Sequence, residues 1–105
     1  MSRDAAKEFL SADTLLADRV RLAIVATLAA SPEPMDFNTL LDALELSKGN
    51  LSTHVRKLEE GGLVEVTKSF VDRKPRTTYV CTPSGRRELG AYLDRLEAML
   101  RGTTR

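Results

Sequence analysis

The chain has 105 residues, which is enough for one domain and too few for two, so we predict a single domain over residues 1–105. Hydrophobic residues make up 42% of the sequence and charged residues 30%, a composition that supports a buried core and excludes a disordered segment. Sixteen Lys and Arg residues against fifteen Asp and Glu residues leave a net charge of +1, which by itself gives no reason to expect a nucleic-acid partner.

The sequence also argues against membrane insertion and secretion. The longest apolar stretch, residues 22–30, is interrupted by Thr27 and is well short of the roughly 18 residues that a membrane span needs. Residues 1–8 contain no apolar signal-peptide region. The single cysteine, Cys81, allows neither an internal disulfide nor a thiolate metal cluster, which fits a reducing compartment. We therefore expect a cytoplasmic protein without a membrane partner, a metal or a cofactor.

The predicted elements begin with two helices. Residues 3–10 fit a short N-terminal helix. A longer helix starts after Asp13, whose side chain can act as the N-cap, and ends at the proline-rich break 31–34. Ala23 and Thr27 are expected on its apolar face. The other residues of that face recur every four positions and are Leu16, Val20, Ile24 and Leu28.

Two further helices are predicted on either side of a short turn. Asp36 can cap the first of them, and Ser47 can cap the second, which runs to about Glu60. Gly61 and Gly62 end the second helix, because glycine adopts the left-handed conformation at little steric cost. The residues predicted to face inward are Phe37, Leu40, Leu41 and Leu44 in the first helix and Leu51, Val55 and Leu58 in the second.

After these helices the hydrophobic period changes from near four to two, which is typical of strands. Residues 63–71 alternate in this way, and residues 77–81 form a second β-prone run. The segment 72–76 between the two runs is predicted to be an exposed hairpin tip. The residues expected on one face of the first strand are Val64, Val66 and Phe70.

The last predicted helix completes a recognisable order of elements. Thr82 as N-cap and Pro83 at the first helical position start this helix, which covers residues 83–100. After the short N-terminal helix, the elements follow in the order helix, helix, helix, hairpin, helix, which is that of a helix-turn-helix followed by a wing. We predict a mainly α protein with a small β-hairpin and a winged helix-turn-helix fold. Residues 1–12 form the N-terminal helix, residues 14–82 the winged-helix core, and residues 83–100 a C-terminal dimerisation helix.

The charges are distributed unevenly along this order of elements. Residues 1–46 contain four basic and eight acidic residues, whereas residues 47–87 contain nine basic and four acidic residues. The remaining residues balance. A basic segment next to an acidic one is typical of a localised surface that binds a polyanion.

The helix predicted over residues 47–60 presents a polar face opposite its apolar stripe. A helix that enters the major groove of DNA needs short polar side chains together with Arg or Lys, and this face has both. A solvated helix face would present the same residues, so the helix alone leaves both interpretations open. The candidate DNA contacts are Lys48, Asn50, Ser52, Thr53, Arg56 and Lys57.

The predicted hairpin tip favours the DNA interpretation. Arg73, Lys74 and Arg76 lie within four residues, and Asp72 is the only acidic residue among them. A cationic loop beside a basic helix can reach phosphates or a minor groove. We therefore add these three cations to the candidate DNA contacts.

Several segments resemble the MarR-like winged-helix transcriptional regulators. The similar segments are DRVRLAI (18–24) and MDFNTL (35–40) in the opening helices, SKGNLSTHVRKLEEGGLV (47–64) in the recognition helix and its exit, and KPRTTY (74–79) and CTPSGR (81–86) in the wing and the start of the last helix. The resemblance covers roughly residues 14–100. It is closest to the small, stand-alone, dimeric members of the family.

This resemblance implies sequence-specific DNA recognition by the helix 47–60, with the wing on the DNA backbone. The residues it assigns to DNA are Asn50, Ser52, Thr53, Arg56 and Lys57 in the helix and Arg73, Lys74 and Arg76 in the wing. Cys81 departs from the family, which commonly has leucine at this position. A buried cysteine behaves as a small hydrophobe, so this departure leaves the predicted fold intact.

The apolar stripe of the last helix is too long for a small domain to cover alone. It can pack onto the first helix of the same chain, or it can form a two-fold seam between two copies. We favour the homodimer, since two DNA half-sites about one helical turn apart require two copies. The predicted interface residues are Phe9, Leu10, Leu89, Tyr92, Leu93, Leu96, Met99 and Leu100.

Two residues invite other interpretations. His54 is the single histidine, and a packing or phosphate-contacting role fits it better than a metal site. Cys81 has no second cysteine to resolve an oxidised sulfur, so we interpret it as a strand residue packed on the core rather than a redox sensor. The sequence contains no glycine-rich phosphate loop and no site of paired acids, and we do not expect an enzyme.

The main hypothesis is a transcriptional regulator that binds double-stranded DNA. We expect a repressor that binds a pseudo-palindromic operator as a homodimer through the helix 47–60 and the wing 72–76. The alternative is a winged-helix module that binds an acidic protein and no specific DNA. A pocket for a small-molecule effector between the first and last helices is compatible with the main hypothesis, but no polar cluster in the sequence indicates one.

Overall fold

The computed structural model describes residues 2–101 and the side chains of residues 4–101, so Met1 and residues 102–105 of the predicted domain lie outside the described residues. The elements of the described part are α1 (Ser2–Ser11), α2 (Arg19–Ala30), β1 (Met35–Asp36), α3 (Phe37–Leu44), α4 (Lys48–Glu60), β2 (Val64–Val71), β3 (Lys74–Cys81) and α5 (Pro83–Arg101). A 3-10 turn, Leu15–Ala17, precedes α2. Within this part, none of the helices is both long enough and apolar enough to span a membrane.

The second helix begins later than the sequence predicts. The Thr14 hydroxyl accepts a hydrogen bond from the backbone N–H two residues further on and caps the 3-10 turn. Asp18 caps α2 by accepting from the N–H groups two and three residues further on, at 2.8 and 3.1 Å. The predicted start after Asp13 is therefore wrong, because two local caps divide the segment into a turn and a helix.

The helix-turn-helix is formed by α3 and α4. Asp36 Oδ1 accepts from the Thr39 N–H at 2.8 Å and caps α3, and Ser47 Oγ accepts from the Asn50 N–H at 3.1 Å and caps α4. Both caps confirm the prediction. The turn between the helices passes through Glu45, which adopts a left-handed conformation with φ of 53° and ends α3.

The sheet has three antiparallel strands in the order β1-β3-β2. Met35 pairs with Tyr79 and Asp36 pairs with Thr78, so β1 lies on the outer edge of β3. This strand is absent from the prediction, because two residues are too few to show an alternating pattern. Its pairing ties the start of the helix-turn-helix to the wing.

The wing is a long hairpin with a tight turn. Val71 pairs with Lys74, so only Asp72 and Arg73 form the turn, with φ of 52° and 67°. The predicted exposed tip over 72–76 is therefore wrong in extent, since residues 74–76 belong to β3. Positive φ at both central residues is what a two-residue hairpin loop of the favoured type requires.

The alternation of β2 is confirmed, but burial stops halfway along the strand. Val64 and Val66 face the core, and Phe70 lies on the same face of the strand. The Phe70 side chain is nevertheless 76% exposed. The reason is the length of the hairpin, which continues beyond the helices that cover the first half of the sheet.

The core lies between the helices and the inner face of the sheet. Ala23 is exposed, contrary to the prediction, because the buried stripe of α2 is centred on Ile24 and Val25. Thr82 caps α5 by accepting from the Gly85 N–H at 2.9 Å, as predicted. The fully buried side chains are Leu16, Ile24, Val25, Leu40, Leu51 and Leu58. A helix-turn-helix, a small antiparallel sheet and flanking helices make a winged helix fold, as the sequence predicts.

Candidate nucleic-acid interface

Helix α4 has one buried face and one exposed face. Leu51, Val55 and Leu58 are buried in the core, at most 6% exposed, as the spacing predicts. The opposite face lies on the surface. All the residues predicted there are exposed, namely Lys48, Asn50, Ser52, Thr53, Arg56 and Lys57. The helix therefore presents amide, hydroxyl and cationic groups together along its outer side.

Polar side chains connect α4 to α2. The His54 side chain is 15% exposed, and its Nδ1 lies 3.2 Å from Arg21 Nη1 and 3.9 Å from Asp18 Oδ1. Arg21 Nε in turn donates to the Leu15 carbonyl at 2.8 Å. His54 is a packing residue facing α2, and the phosphate-contacting alternative does not fit its position.

Asp18 connects this contact to the start of α2. The pKa of its carboxyl is lowered, chiefly because the carboxylate accepts the backbone N–H of Arg21. The Val20 N–H and the neighbouring basic side chains of His54 and Arg21 lower this pKa further. Asp18 is therefore an anion that both caps α2 and faces the basic groups behind the exposed helix.

The predicted wing cations are also at the surface, but they are not equivalent. Arg73 lies in the turn, and Lys74 is the first residue of β3 after it. Arg76 Nη2 lies 3.9 Å from Asp36 Oδ2, since the two residues share the outer face of the sheet. Its charge is therefore partly balanced within the chain, whereas the turn cations extend further from the core.

One exposed cation of the wing is absent from the predicted contacts. Lys68 is exposed on β2, directly opposite Thr77 and on the same face of the hairpin as Phe70. The alternating pattern of β2 predicts that this face points toward the core, so the sequence gave no reason to consider Lys68 as a DNA contact. The signal would have been the charge pattern itself, since Lys68 is a basic residue on a predicted apolar face.

Helix α4 and the wing diverge from a shared junction at residues 61–63. The Leu63 N–H donates to the Leu58 carbonyl at 2.9 Å, and the Leu63 carbonyl accepts from the Thr82 N–H at 3.1 Å. Thr82 Oγ1 also donates to the Gly62 carbonyl at 2.7 Å. The first turn of α4 and the hairpin turn lie at the two ends remote from this junction. Among the cations of α4, Lys48 lies at the remote end, whereas Arg56 and Lys57 lie in the C-terminal part of the helix, closer to the junction.

The predicted dimer residues differ in how far they are buried within the chain. Phe9 and Tyr92 pack against each other within the chain, with ring centroids 5.3 Å apart in an edge-to-face arrangement. Leu89 also packs against the core. Leu10 and Leu93 are 84% and 51% exposed. The remaining predicted residues are half-buried (Leu96 and Met99) or exposed (Leu100).

A small cavity lies between the first and last helices, where an effector pocket is compatible with the sequence. It has a volume of about 190 Å³ between α1 and α5, and its lining includes Phe9, Leu10, Tyr92 and Arg95. Across residues 4–101, no group of three or more His, Cys, Asp or Glu side chains is placed to hold a metal ion. The Cys81 thiol is half-buried, and burial raises its pKa, which disfavours the reactive thiolate.

Comparison with known proteins was made for sequence and for structure. The family described as "winged helix DNA-binding domain" matches residues 20–100. An uncharacterized protein of Methanocaldococcus jannaschii is 39% identical over 74 residues, which are 70% of this chain and 79% of that protein. The structure of a transcriptional regulator homologue from Pyrococcus horikoshii superposes with a TM-score of 0.85 at 33% identity, covering 97% of this chain and 99% of the other.

A DNA complex is among the similar structures. It is the complex of Staphylococcus aureus MepR with DNA, which superposes with a TM-score of 0.73 at 19% identity and covers 96% of this chain and 80% of the MepR chain. At this identity the similarity concerns the fold. The Pyrococcus horikoshii structure is described as that of a transcriptional regulator homologue.

Proposed function

We propose, since this chain belongs to the winged helix DNA-binding domain family, that it is a sequence-specific DNA-binding regulator of transcription. The observation that carries the proposal is the exposure of every polar side chain predicted to contact DNA on α4, opposite a fully packed apolar face. The exposed cations of the wing support it. A helix of this kind fits the major groove, where each base pair presents a distinct pattern of donors and acceptors.

Helix α4 and the wing have different tasks in this proposal. On α4, Arg56 and Asn50 have the side chains that pair with guanine and adenine edges, and Ser52 and Thr53 are short enough to let the helix approach. In the wing, Arg73 and Lys74 contact phosphates. Helix contacts therefore determine the sequence that is bound, whereas wing contacts add affinity for any duplex.

The proposal extends to a homodimer that binds a pseudo-palindromic operator and represses transcription by occluding it. Two copies related by a two-fold axis would place two α4 helices on half-sites about 34–36 Å apart, one turn of DNA. The outer surfaces of α1 and α5 are the proposed interface. The exposed side chains of Leu10 and Leu93 support this, because a second copy would remove them from water.

The dimer predicts a specific effect of substitution in α5. Leu93→Glu is expected to dissociate the dimer into monomers, because the interface would bury an unpaired carboxylate. The measured mass should then fall from twice the chain mass to the chain mass. Size-exclusion chromatography with light scattering measures this. Ala26→Glu introduces the same group at an exposed position of α2 and should leave the dimer intact. A wild-type protein of single-chain mass at all concentrations would contradict the proposal.

Selection of bound fragments from the source genome tests the function itself. We expect a small set of fragments with a common two-fold sequence, and a gel shift that resists competition by unrelated DNA. Recovery of no fragment above background would overturn the proposal. It would favour the alternative function, in which the same basic face binds an acidic protein.

The salt dependence of DNA binding tests the role of the wing. The double substitution Arg73→Ala and Lys74→Ala is expected to reduce the slope of log K against log salt concentration by about 0.9 for each phosphate that the wing no longer neutralises. Affinity for specific and non-specific duplexes should fall together. Arg19→Ala, which removes an exposed cation from α2, outside the wing and the proposed dimer interface, is the matched control and should leave the slope unchanged. Equal slopes for the double variant and the wild type would show that the wing is not on the backbone.

The proposal also includes a subgroup, a location and a cavity for an effector. The segments 47–64 and 74–79 support membership of the MarR-like group of regulators. The single cysteine fits a reducing compartment and supports the cytoplasm as the proposed location. The 190 Å³ cavity between α1 and α5 has room for a small effector, although its occupant is not identified by any cluster of polar groups.

A further inference from the structure

We propose that Phe70 is an apolar wedge with which the wing enters the minor groove of bound duplex DNA and partly unstacks one base step, bending the duplex. This inference rests on the proposed DNA-binding function and adds a deformation of the DNA to it. The feature that suggests it is the position of an exposed phenyl ring close to the end of a cationic hairpin.

The exposure of Phe70 is unusual for its strand position. Val64 and Val66 lie on the same face of β2 and contact the core, whereas Phe70 is 76% exposed. Burying a phenylalanine side chain removes apolar surface from water and is favourable, and most of this gain is unused in the isolated chain. A partner that covers the ring would gain it.

Phe70 is one of two rings at the same point of the hairpin. It lies directly opposite Pro75 in the register of β2 and β3, so both rings are on one face of the wing. Pro75 is also exposed. Together they form a small apolar patch (Phe70 and Pro75) about two residues from the turn.

The basic residues around this patch favour an anionic partner. Lys68 precedes Phe70 on the same face, and Arg73 and Lys74 follow at the turn. Residues 68–76 contain four basic residues and one acidic residue. A partner that fits both the basic residues and the apolar patch has negative charges next to apolar surface. Duplex DNA has this character, because stacked bases lie between two rows of phosphates.

The dimensions of the wing favour entry by a side chain rather than by the backbone. Five residues of β2, 67–71, extend beyond the half-buried Val66, a projection of about 16 Å at roughly 3.3 Å per residue. The minor groove is about 6 Å wide and 7.5 Å deep, too narrow for a two-stranded ribbon. A single aromatic ring fits between base pairs once the groove opens, and proteins that insert such wedges kink DNA by about 20–90°.

A test combines DNA bending with base unstacking. The probe is a duplex of the selected operator, labelled at its ends for energy transfer and carrying 2-aminopurine at successive steps beside the wing. At saturating wild-type protein we expect a shortened end-to-end distance and increased 2-aminopurine fluorescence at one step. Phe70→Ala is expected to lose both signals, whereas Phe70→Leu keeps the apolar bulk and should retain most of the bend.

Two controls separate the wedge from general damage to the wing. Val71→Ala truncates the neighbouring exposed side chain on the opposite face of β2 and should leave both signals unchanged. The melting temperature of Phe70→Ala should match that of the wild type, because the ring contributes little to the core.

The outcomes distinguish the wedge from the DNA-binding function. A straight operator and constant fluorescence in the wild-type complex, or equal signals from wild type and Phe70→Ala, would overturn the wedge while leaving the DNA-binding function in place. Failure of the wild type to bind the duplex would overturn both. Loss of binding to an acidic protein by Phe70→Ala, with unchanged DNA signals, would reassign the patch to a protein partner.

Discussion

Replacing Arg56 by alanine is expected to weaken binding to the specific operator by about 10- to 100-fold, with a much smaller change for unrelated DNA. Arg56 is exposed on the outer face of α4, opposite the buried Leu51 and Val55. An arginine that donates two hydrogen bonds to one guanine contributes about 1–3 kcal/mol of discrimination, and each 1.4 kcal/mol is a tenfold change. Gel-shift titration on operator and scrambled duplexes measures both affinities.

Two further variants make this prediction specific to Arg56. Arg56→Lys keeps the charge but loses the planar pair of donors, so it should keep affinity for unrelated DNA and lose part of the discrimination. The helix itself should tolerate Arg56→Ala, because alanine is the strongest helix former and the position is exposed. An equal loss of affinity for both duplexes would mean that Arg56 contacts phosphate rather than a base.

Gly85→Ala is expected to remove about 3 kcal/mol of stability, a large share for a chain of this size. Gly85 is buried at the start of α5, and an added Cβ would collide with the backbone carbonyl oxygen of Leu63 and lie 2.8 Å from Cys81 Sγ. The carbonyl cannot move freely, because it accepts the Thr82 N–H. Chemical denaturation followed by circular dichroism measures the free energy of unfolding.

Gly90→Ala provides the matched control for this substitution. Gly90 lies in the same helix, and an added Cβ would have no heavy atom within 4 Å other than those of its chain neighbours and the surrounding helix backbone. Removing a glycine from a helix interior stabilises by roughly 0.5–1 kcal/mol, so this variant should be more stable than the wild type. Similar free energies of unfolding for the two variants would show that the contact between α5 and Leu63 is not tight in solution.

The parts of the fold that depend on local chemistry could be predicted from the sequence. Asp36, Ser47 and Thr82 each act as the predicted N-cap, because capping involves only the next three residues. The buried stripe of α4 follows equally from helix geometry, since its spacing fixes which residues share a face. The exposed DNA-binding candidates of α4 follow from the same argument, as the face opposite that stripe.

The parts that depend on distant contacts could not be predicted. Strand β1 exists because Met35 and Asp36 pair with residues of β3 far along the chain, and no local pattern marks two residues as a strand. The hairpin turn at Asp72 and Arg73 has positive φ at both residues without a glycine or asparagine, the residues that normally signal such a turn. Local chemistry therefore suggested a longer loop than the one that forms.

The candidate interface shows the same division. Exposure of Lys68 and Phe70 depends on how far the hairpin continues past the helices, a property of the assembled fold rather than of the strand. The contact of His54 with Arg21 likewise requires α2 and α4 to be packed together. The sequence left His54 as a packing or a phosphate-contacting residue, and its contact with Arg21 favours packing.

The junction at residues 61–63 links the movement of α4 and the wing to that of α5 in the proposed dimer. Gly62 and Leu63 accept hydrogen bonds from Thr82, so the exit of α4, the root of the wing and the start of α5 are joined at one point. A rotation of α5 at the subunit seam would carry helix and wing with it as one body. In the proposed dimer, we therefore expect the spacing between the two α4 helices to depend on how two copies of α5 meet. A small change of angle at that interface would produce a larger displacement at the tip of the wing.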